Sequence, residues 1–190
     1  MKHLLLSSAL VLGATAAVAE PVEYTLDPGH SQIVFQYEHL GFSTTTGMFS
    51  GFNGTILFDE EDPANSSVEV AFPTDSLITG FDARTQHFLG GDFFGAEEHP
   101  EITFRSTSIT IEDEDEGEIT GDLTINGITK SVTLDAELTQ QGMHPMENKP
   151  WLGFKAETTI LRSDFDMGMF APAVSDEVEI EISIEAMIAG

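Results

Sequence analysis

Apolar and polar residues alternate with a period of two along most of the chain. In the clearest segment Val178, Ile180, Ile182 and Ile184 fall on one face, and glutamates dominate the other. Because successive side chains of a strand point to opposite sides of a sheet, this pattern predicts β-strands with one apolar and one solvated face. The same alternation recurs in residues 33–39, 52–58, 68–72, 102–111, 119–125, 132–138 and 154–160.

Two local signals interrupt the alternation. Asn126-Gly127 separates two strand segments, and this dipeptide favours the tight turn of a β-hairpin. Asp82–Leu89 shows no alternation, contains good helix formers and ends before Gly90-Gly91, which predicts a short helical crossover. About eight strands with one helical interruption indicate an all-β barrel or sandwich, and an even number of antiparallel strands can close without exposed edges.

The predicted inner faces are rich in phenylalanine and contain small residues at intervals. The chain has 14 phenylalanines against one tryptophan and two tyrosines, so its aromatic side chains carry few polar tips. A barrel of about eight strands either fills its interior with side chains or encloses one small ligand. The alternation alone favours the packed interior and leaves the enclosed ligand as the alternative.

The N-terminus has the layout of a secretory signal peptide. Lys2 precedes an apolar stretch that extends to Val18, and Ala17-Val18-Ala19 has the small-x-small pattern of a cleavage site. This stretch is too short and too rich in alanine for a membrane-spanning helix, which needs ~20 apolar residues. We therefore predict that residues 1–19 are removed on secretion. Residues 20–190 are expected to form one domain that has no cysteine and no segment apolar enough to span a bilayer.

The formal net charge of the chain is −26, from 33 acidic and 7 basic residues. Such a surface repels nucleic-acid phosphates and anionic membranes, so the sequence argues against nucleic-acid binding. The acidity could attract a cation or a basic protein, but solvated carboxylates usually serve solubility, and we favour that interpretation. Glu112–Glu118 lacks the ligand spacing of a calcium loop and is interpreted as a solvated hairpin end.

The sequence contains no motif for catalysis or metal binding. His30 and Ser31 are adjacent, so on a strand they point to opposite faces and form no nucleophile–base pair. The histidines lack H-x-H and H-E-x-x-H spacing, and no spacing signature supports a zinc site built from His30, His39 and His87. The sequence therefore predicts neither an enzyme nor a metal site.

A set of short motifs occurs in a fixed order along residues 22–188. The motifs lie in Tyr24–Ser31, Ile33–Gly41, Gly47–Phe49, Phe52–Asp59, Arg84–Leu89, Asp92–Phe94, Pro100–Phe104, Gly121–Lys130 and Ile160–Phe165. Taken together, they resemble the YceI-like family of periplasmic polyisoprenoid-binding proteins. Thr85 stands where the family usually has an acid, and Asp166 stands where it usually has glycine. These departures concern the mouth of the pocket more than the fold.

The resemblance implies a lipocalin-like, extended antiparallel β-barrel of about eight strands with a short helical crossover. It also implies a periplasmic binding or carrier protein for one long isoprenoid-type lipid, with no other cofactor and with a homodimer as an allowed assembly. An enzyme acting on a lipid or quinone head group is the alternative, and a solid-core protein without a ligand is the third. The expected ligand-binding residues are Ile33, Phe35, Tyr37, His39, Phe49, Phe52, Ile56, Arg84, His87, Phe93, Phe94, Ile102, Phe104, Leu123, Phe154, Arg162 and Phe165.

Two arginines in these motifs allow two interpretations. Arg84 and Arg162 could each bind a phosphate or quinone oxygen of the lipid head group. They could instead fix the local turns by pairing with carboxylates, Arg162 with Asp164 and Arg84 with Asp82 or Asp92. We favour the structural role, because charged pairs near strand ends commonly serve geometry.

Several other residues near the expected mouth also have two interpretations. His39 and His87 could form a polar rim or be hydrogen-bonded core residues, and the sequence favours neither. Phe93 and Phe94 could gate the opening, but paired aromatic residues are usually buried, so we expect them to anchor the crossover on the barrel. Gly142–Pro150 is expected to be a connection rather than a flap.

Overall fold

The structure, a computed structural model, describes residues 20–189, and the predicted signal peptide lies outside the described residues. Within that range no helix has the length and apolar character that crossing a membrane requires. Short 3₁₀ turns occur at Pro63–Asn65, Thr74–Ser76 and Arg162–Phe165. The strands and the helix are, in chain order, β1 (Val22–Leu26), β2 (Gln32–His39), β3 (Ser43–Phe49), β4 (Asn53–Phe58), β5 (Ser67–Pro73), α1 (Asp82–Leu89), β6 (Glu101–Ile111), β7 (Glu116–Ile125), β8 (Ile128–Met143), β9 (Pro150–Leu161) and β10 (Glu177–Ile188).

Eight strands form a closed antiparallel ring in the order β1, β4, β5, β6, β7, β8, β9, β10. The ring closes because β10 pairs with β9 on one side and with β1 on the other, where Leu26 lies opposite Ala186. Closure satisfies the backbone hydrogen-bonding groups of strands that would otherwise lie at an edge. The all-β barrel with a short helical crossover confirms the fold class predicted from the sequence.

One edge of β10 is shared between two partners. Its C-terminal part pairs with β1, and residues 179–183 pair with β2. The chain passes from β1 to β2 through the bend Asp27–Ser31, and the β2–β3 hairpin extends the wall beyond the ring. Within the described range, the outer edge of β3 meets the rest of the barrel in one isolated bridge, where Met48 and Ile78 exchange two backbone hydrogen bonds. We call this junction the seam.

The two ends of the barrel differ in their connections. The crossover end carries the β2–β3 turn, the segment 74–100 with α1, the β7–β8 turn and the connection 162–176 between β9 and β10. The acidic end carries the connections 59–66, 112–115 and 144–149. Within the predicted connection Gly142–Pro150, residues 144–149 link β8 to β9 at the acidic end, while Gly142, Met143 and Pro150 belong to the strands themselves.

The local sequence signals correspond to observed elements. The helix α1 begins at Asp82 and ends at Leu89, as predicted. Strand β7 ends at Ile125 and β8 begins two residues later, at Ile128. Between them Asn126 and Gly127 have positive φ angles of 51° and 71°, which the tight turn of a two-residue hairpin requires.

The strands predicted from the alternation are not the same set as the strands of the ring. The predicted run at residues 33–39 is β2, which pairs beside the ring, whereas β1 belongs to the ring and is not predicted. Strand β1 has five residues, too few for its alternation to stand out. Strand β3 is also missed, because its sequence STTTGMF places threonines on both faces.

Candidate functional site

The barrel encloses a cavity of about 670 Å³. Its wall includes Phe81 and Phe170 at the crossover end and Asp113 and Glu116 at the acidic end, so the space extends along the barrel. This volume lies within the range of about 300–1,000 Å³ that is usual for small-molecule sites. A solid-core protein requires interlocked rings with no elongated void, and the cavity contradicts that alternative.

The cavity wall is built from the inward faces of the strands. On β9 and β10, Phe154, Ala156, Ile160, Ile180 and Ile184 face the space, while the intervening positions face solvent. The period-two alternation therefore gives an apolar lining and a polar exterior at the same time. Further apolar lining residues are Ile102, Phe104, Leu123, Ile125, Leu134, Leu138 and Val178.

Glycines on neighbouring strands let two phenylalanine rings lie against the wall. A Cβ atom on Gly47 would lie 2.3 Å from the ring of Phe35, and one on Gly121 would lie 2.4 Å from the ring of Phe104. Real Cβ atoms do not approach that closely, so any larger residue would push these rings away from the wall. The small residues seen in the sequence therefore help to keep the space open.

Other aromatic rings pack on one another at one side of the barrel. The ring of Phe49 lies 5.7 Å from that of Phe35, 5.3 Å from that of Phe72 and 5.4 Å from that of Phe94, measured between centroids. Phe52 and Phe72 approach to 4.8 Å. The interior is thus packed beside β3, β4 and β5 and open elsewhere. The structure therefore combines the packed interior and the enclosed space that the sequence left as alternatives.

The residues expected at the ligand line this cavity with one exception. Every member of the predicted set contributes to its wall except Phe165. Phe165 is 1 % exposed and packs in the core at the crossover end, where its carbonyl accepts a hydrogen bond from the Asn126 side chain at 3.1 Å. It lies on a 3₁₀ turn, for which the alternation gives no inward or outward assignment.

Arg84 faces the cavity from α1 without a carboxylate partner. Neither Asp82 nor Asp92 pairs with it, and the ion pairs within residues 20–189 are formed by other side chains. Its Nη2 donates to the Thr79 carbonyl at 2.6 Å, and its buried Nε has no hydrogen-bond partner in the described chain. A buried donor without a partner is unusual, and a ligand atom can satisfy it.

Arg162 is a structural residue that also borders the cavity. It is 8 % exposed, and its guanidinium donates to the carbonyls of Ser175 (2.8 Å), Met167 (2.7 Å), Met169 (3.1 Å) and Val174 (3.1 Å). Burial lowers the pKa of this guanidinium from its ordinary value. The structural role favoured from the sequence agrees with these contacts, although the partners are backbone carbonyls.

The expected ion pair of Arg162 with Asp164 is absent from the described chain. Asp164 instead lies 3.8 Å from the ammonium group of Lys130. The four carbonyls that Arg162 contacts belong to the connection 162–176, and no periodic pattern predicts the path of such a segment. Arg162 thereby fixes one border of the cavity mouth.

The other residues at the crossover end either form the rim of the cavity or pack the crossover in place. His39 and His87 are both exposed and line the cavity, which places them at its rim. Phe93 is buried, and its ring meets those of His87 at 5.1 Å and Phe88 at 5.2 Å. Phe93 thus packs within the crossover, and the ring of Phe94, 5.4 Å from that of Phe49 on β3, anchors the crossover on the barrel.

Three exposed phenylalanines surround the crossover end. Phe42, Phe81 and Phe170 are 89 %, 64 % and 60 % exposed. Phe81 and Phe170 also line the cavity, so they lie where it meets solvent. The alternation of apolar and polar residues does not single them out, although Gly41-Phe42 and Gly80-Phe81 each place an aromatic residue directly after a turn-forming glycine.

Comparison with known proteins gives matches along nearly the whole chain. The family model of the YceI-like domain matches residues 24–186. Protein YceI of Escherichia coli O6:H1 is 40 % identical over 180 residues, which cover 95 % of this chain and 93 % of that protein. The crystal structure of BcnA from Burkholderia cenocepacia has a TM-score of 0.76 at 26 % identity and covers 84 % of this chain and 98 % of BcnA.

A more distant match extends the likeness in fold. The structure of a polyisoprenoid binding domain from Saccharophagus degradans has a TM-score of 0.62 and covers 88 % of this chain and 99 % of that domain. Its sequence identity is 13 %, so this likeness shows a shared fold alone.

Proposed function

We propose that this chain, which belongs to the YceI-like family, binds one long apolar lipid of the isoprenoid class inside its barrel. The observation that carries the proposal is the elongated cavity of about 670 Å³ with its apolar wall. Burial of a hydrocarbon contributes about 0.8 kcal/mol per methylene, so a long tail can supply most of the binding free energy without polar contacts. The polyisoprenoid binding domain of Saccharophagus degradans has the same fold, which agrees with this ligand class.

The charges around the cavity favour one orientation of the lipid. Arg84, His39 and His87 line the crossover end, whereas Asp113–Glu116 line the acidic end. An anionic or oxygen-rich head group is attracted by the first set and repelled by the second. We therefore place the head group near Arg84, whose buried Nε lacks a partner, and the tail toward the acidic end.

The exposed phenylalanines support entry at the same end. Phe42, Phe81 and Phe170 give the mouth an apolar border, across which a hydrocarbon tail can pass without full exposure to water. Together with the predicted signal peptide, this arrangement fits a periplasmic carrier that takes up a lipid and releases it elsewhere. Chemical change of the lipid is not part of this proposal.

Extraction of the purified protein tests the ligand class. The chain, expressed with its own N-terminal segment, is purified from the periplasm, extracted with organic solvent and analysed by mass spectrometry. We expect one polyprenyl or isoprenoid-quinone lipid per protein, and native mass spectrometry should show the same added mass. Empty protein that also fails to bind an added polyprenol would refute the proposal.

A pair of variants locates the lipid inside the barrel. Ala156 faces the cavity opposite Ile182, whereas Thr159 on the same strand is exposed. Ala156→Phe fills part of the tunnel, and we expect it to lower polyprenol affinity by about tenfold or more, because lost tail burial outweighs the added ring. Thr159→Phe adds the same ring outside and should bind like the parent. Equal affinity of both variants would place the lipid elsewhere.

A second variant tests the orientation. Arg84→Gln removes the cation at the mouth, and hydrogen bonds to charged groups contribute about 1.5–3 kcal/mol. We expect affinity for a polyprenyl phosphate to fall about 10- to 100-fold and affinity for the uncharged polyprenol to change little. An equal loss for both lipids would contradict the head-group placement.

Conversion of the added lipid to a new product, lost in His39→Ala, would favour the alternative of an enzyme.

A further inference from the structure

The bend between β1 and β2 brings together polar side chains that lie outside the cavity. Asp27 accepts a hydrogen bond from the Gly29 backbone N–H through Oδ1 at 2.9 Å, and its Oδ2 lies 2.6 Å from Nδ1 of His30. The Asp27 backbone N–H donates to the carbonyl of Glu185 on β10 at 2.8 Å. The bend is thereby fixed beside the outer face of β10.

Glu185 completes this cluster from a distant part of the sequence. It points away from the cavity on β10, and its Oε2 accepts a hydrogen bond from the indole Nε1 of Trp151 at 2.9 Å. One potential ligand atom from each of Asp27, His30 and Glu185 lies within 4.8 Å of the other two. The three residues form one compact donor set on the barrel surface.

The electrostatics of the bend favour positive charge. The hydrogen bond to Asp27 and the negative charges of Asp27 and Glu185 raise the pKa of His30. The hydrogen bond from His30, opposed in part by burial, lowers the pKa of Asp27. Two carboxylates beside one imidazole also give the bend a local negative charge that attracts a metal cation.

We infer that Asp27, His30 and Glu185 form a binding site for a divalent transition metal ion of the zinc class. One imidazole nitrogen with two carboxylate oxygens is a donor set that zinc accepts, and a water molecule can take the fourth position. Tetrahedral zinc sets its ligand atoms about 3.5 Å apart, so Asp27 Oδ2 and His30 Nδ1, which are 2.6 Å apart, must separate slightly, and the cluster as a whole, within 4.8 Å, needs only small shifts. The His30 side chain is 68 % exposed, which leaves the fourth position accessible to water.

The surrounding hydrogen bonds hold the proposed ligands in place. The Gly29 N–H and the Trp151 indole each bind one oxygen of a ligand carboxylate, and the second oxygen of Asp27 contacts His30 Nδ1, the nitrogen to which a bound ion would join it. Such outer hydrogen bonds orient metal ligands in known sites. Calcium is a poorer match, since it takes six to eight oxygen ligands and the cluster offers two carboxylates and one nitrogen. The formal charge of −26 further raises the local concentration of cations.

Bound metal would join the bend to β10 at the position where β10 changes partner from β1 to β2. Because the ion binds the folded chain and the ligands separate on unfolding, metal binding should stabilise the barrel against heat. This inference does not depend on the lipid. It assigns a chemical role to the Asp27–Ser31 segment, whose motif the lipid site does not use.

Calorimetric titration of zinc chloride into the untagged, chelator-treated chain tests the site. We expect one zinc ion per chain and an increase in melting temperature with zinc concentration. His30→Gln should lower the zinc affinity by about tenfold or more, and Glu185→Gln should do the same while its amide oxygen still accepts the Trp151 hydrogen bond. All these residues are at the surface, so the variants should fold like the parent.

Two controls separate the site from general attraction to an acidic surface. Glu181→Gln removes the same charge from the same outer face of β10 and should leave zinc affinity unchanged. Cobalt(II) should quench the fluorescence of Trp151, the only tryptophan of the chain, with a titration that His30→Gln weakens. Absence of zinc binding by the parent chain would overturn the inference. Equal loss in Glu181→Gln and Glu185→Gln, or cobalt binding without quenching, would overturn it as well.

Discussion

The two ends of the barrel are built from the same strands but are closed in different ways. At the acidic end, β6 and β7 are joined by Glu112–Asp115, where backbone groups bond across the hairpin and exposed carboxylates border the end of the cavity. At the crossover end, long connections are held by buried polar contacts, and Asp166 and Phe170 adopt positive φ angles of 59° and 68°. Strained backbone persists only where the surroundings fix it.

This difference indicates a division of roles. The strands supply the apolar lining of the cavity, because each contributes the same alternation. The two ends make the cavity asymmetric along the barrel axis. One end presents carboxylates, and the other presents cations and exposed aromatic rings. The crossover end should therefore be sensitive to substitution in a way that the acidic end is not.

The largest effect is expected at Arg162, which holds the connection 162–176. Arg162→Met keeps an apolar stem but leaves four backbone carbonyls without their donor. We expect the free energy of unfolding to fall by about 3 kcal/mol or more, because each buried unsatisfied group costs about 1–3 kcal/mol. Urea denaturation measures the change.

A matched control for that loss is available on the outer surface. Arg105 pairs with Glu69 at 3.0 Å, and both side chains are more than half exposed. Arg105→Met should change the free energy of unfolding by less than about 1 kcal/mol, as exposed ion pairs contribute little. If the two arginine variants lost similar stability, the buried contacts of Arg162 would not be what holds the crossover end.

An intermediate effect is expected at the β7–β8 turn. Gly127 has φ of 71°, and a Cβ atom there would lie 2.6 Å from the His99 ring. Gly127→Ala should destabilise the fold by about 1–3 kcal/mol, through backbone strain and displacement of His99. At Gly91 a Cβ atom would meet nothing within 4 Å, so Gly91→Ala should be nearly neutral in the same thermal denaturation assay. If Gly127→Ala left the stability unchanged, the turn would accommodate a Cβ atom at residue 127, and the close contact with His99 would not constrain it.

The smallest effect is expected at the acidic end. Glu114→Gln combined with Asp115→Asn removes two exposed carboxylates from the β6–β7 connection. We expect the free energy of unfolding to rise by less than about 0.5 kcal/mol, because like charges on a surface repel weakly. The gain should shrink at high salt, where such repulsion is screened. A substantial loss of stability would instead mean that these carboxylates hold the end together.

The fold was largely predictable because most of its strands are marked by a periodic alternation of apolar and polar residues. Alternation depends only on residue type and position, so the segments that become β4 to β10 stand out in the sequence. Closure through β1 did not stand out, since a five-residue strand gives little signal and its two partners, β4 and β10, lie far along the chain. The resemblance to a family supplied the barrel, which periodicity alone left open beside a sandwich.

The functional sites were predictable to different degrees. Residues of the tunnel follow from the inward face of each strand, and most of the expected set lines the cavity. The contacts of Arg162 follow from the path of an irregular connection, which no pattern encodes. The meeting of Asp27 and His30 with Glu185 depends on the register between β1 and β10, so neither sequence distance nor spacing signals it.

The seam gives the barrel wall one place of lower mechanical resistance. Two backbone hydrogen bonds between Met48 and Ile78 join β3 to the crossover, whereas β10 pairs with β9 over its residues 177–187. Local opening begins where few backbone hydrogen bonds join neighbouring segments, so the seam is expected to open before the β9–β10 ladder does, although Phe49 packs on Phe72 and Phe94 beside it. Amide hydrogens of Met48 and Ile78 should therefore exchange with solvent sooner than those of the β9–β10 ladder.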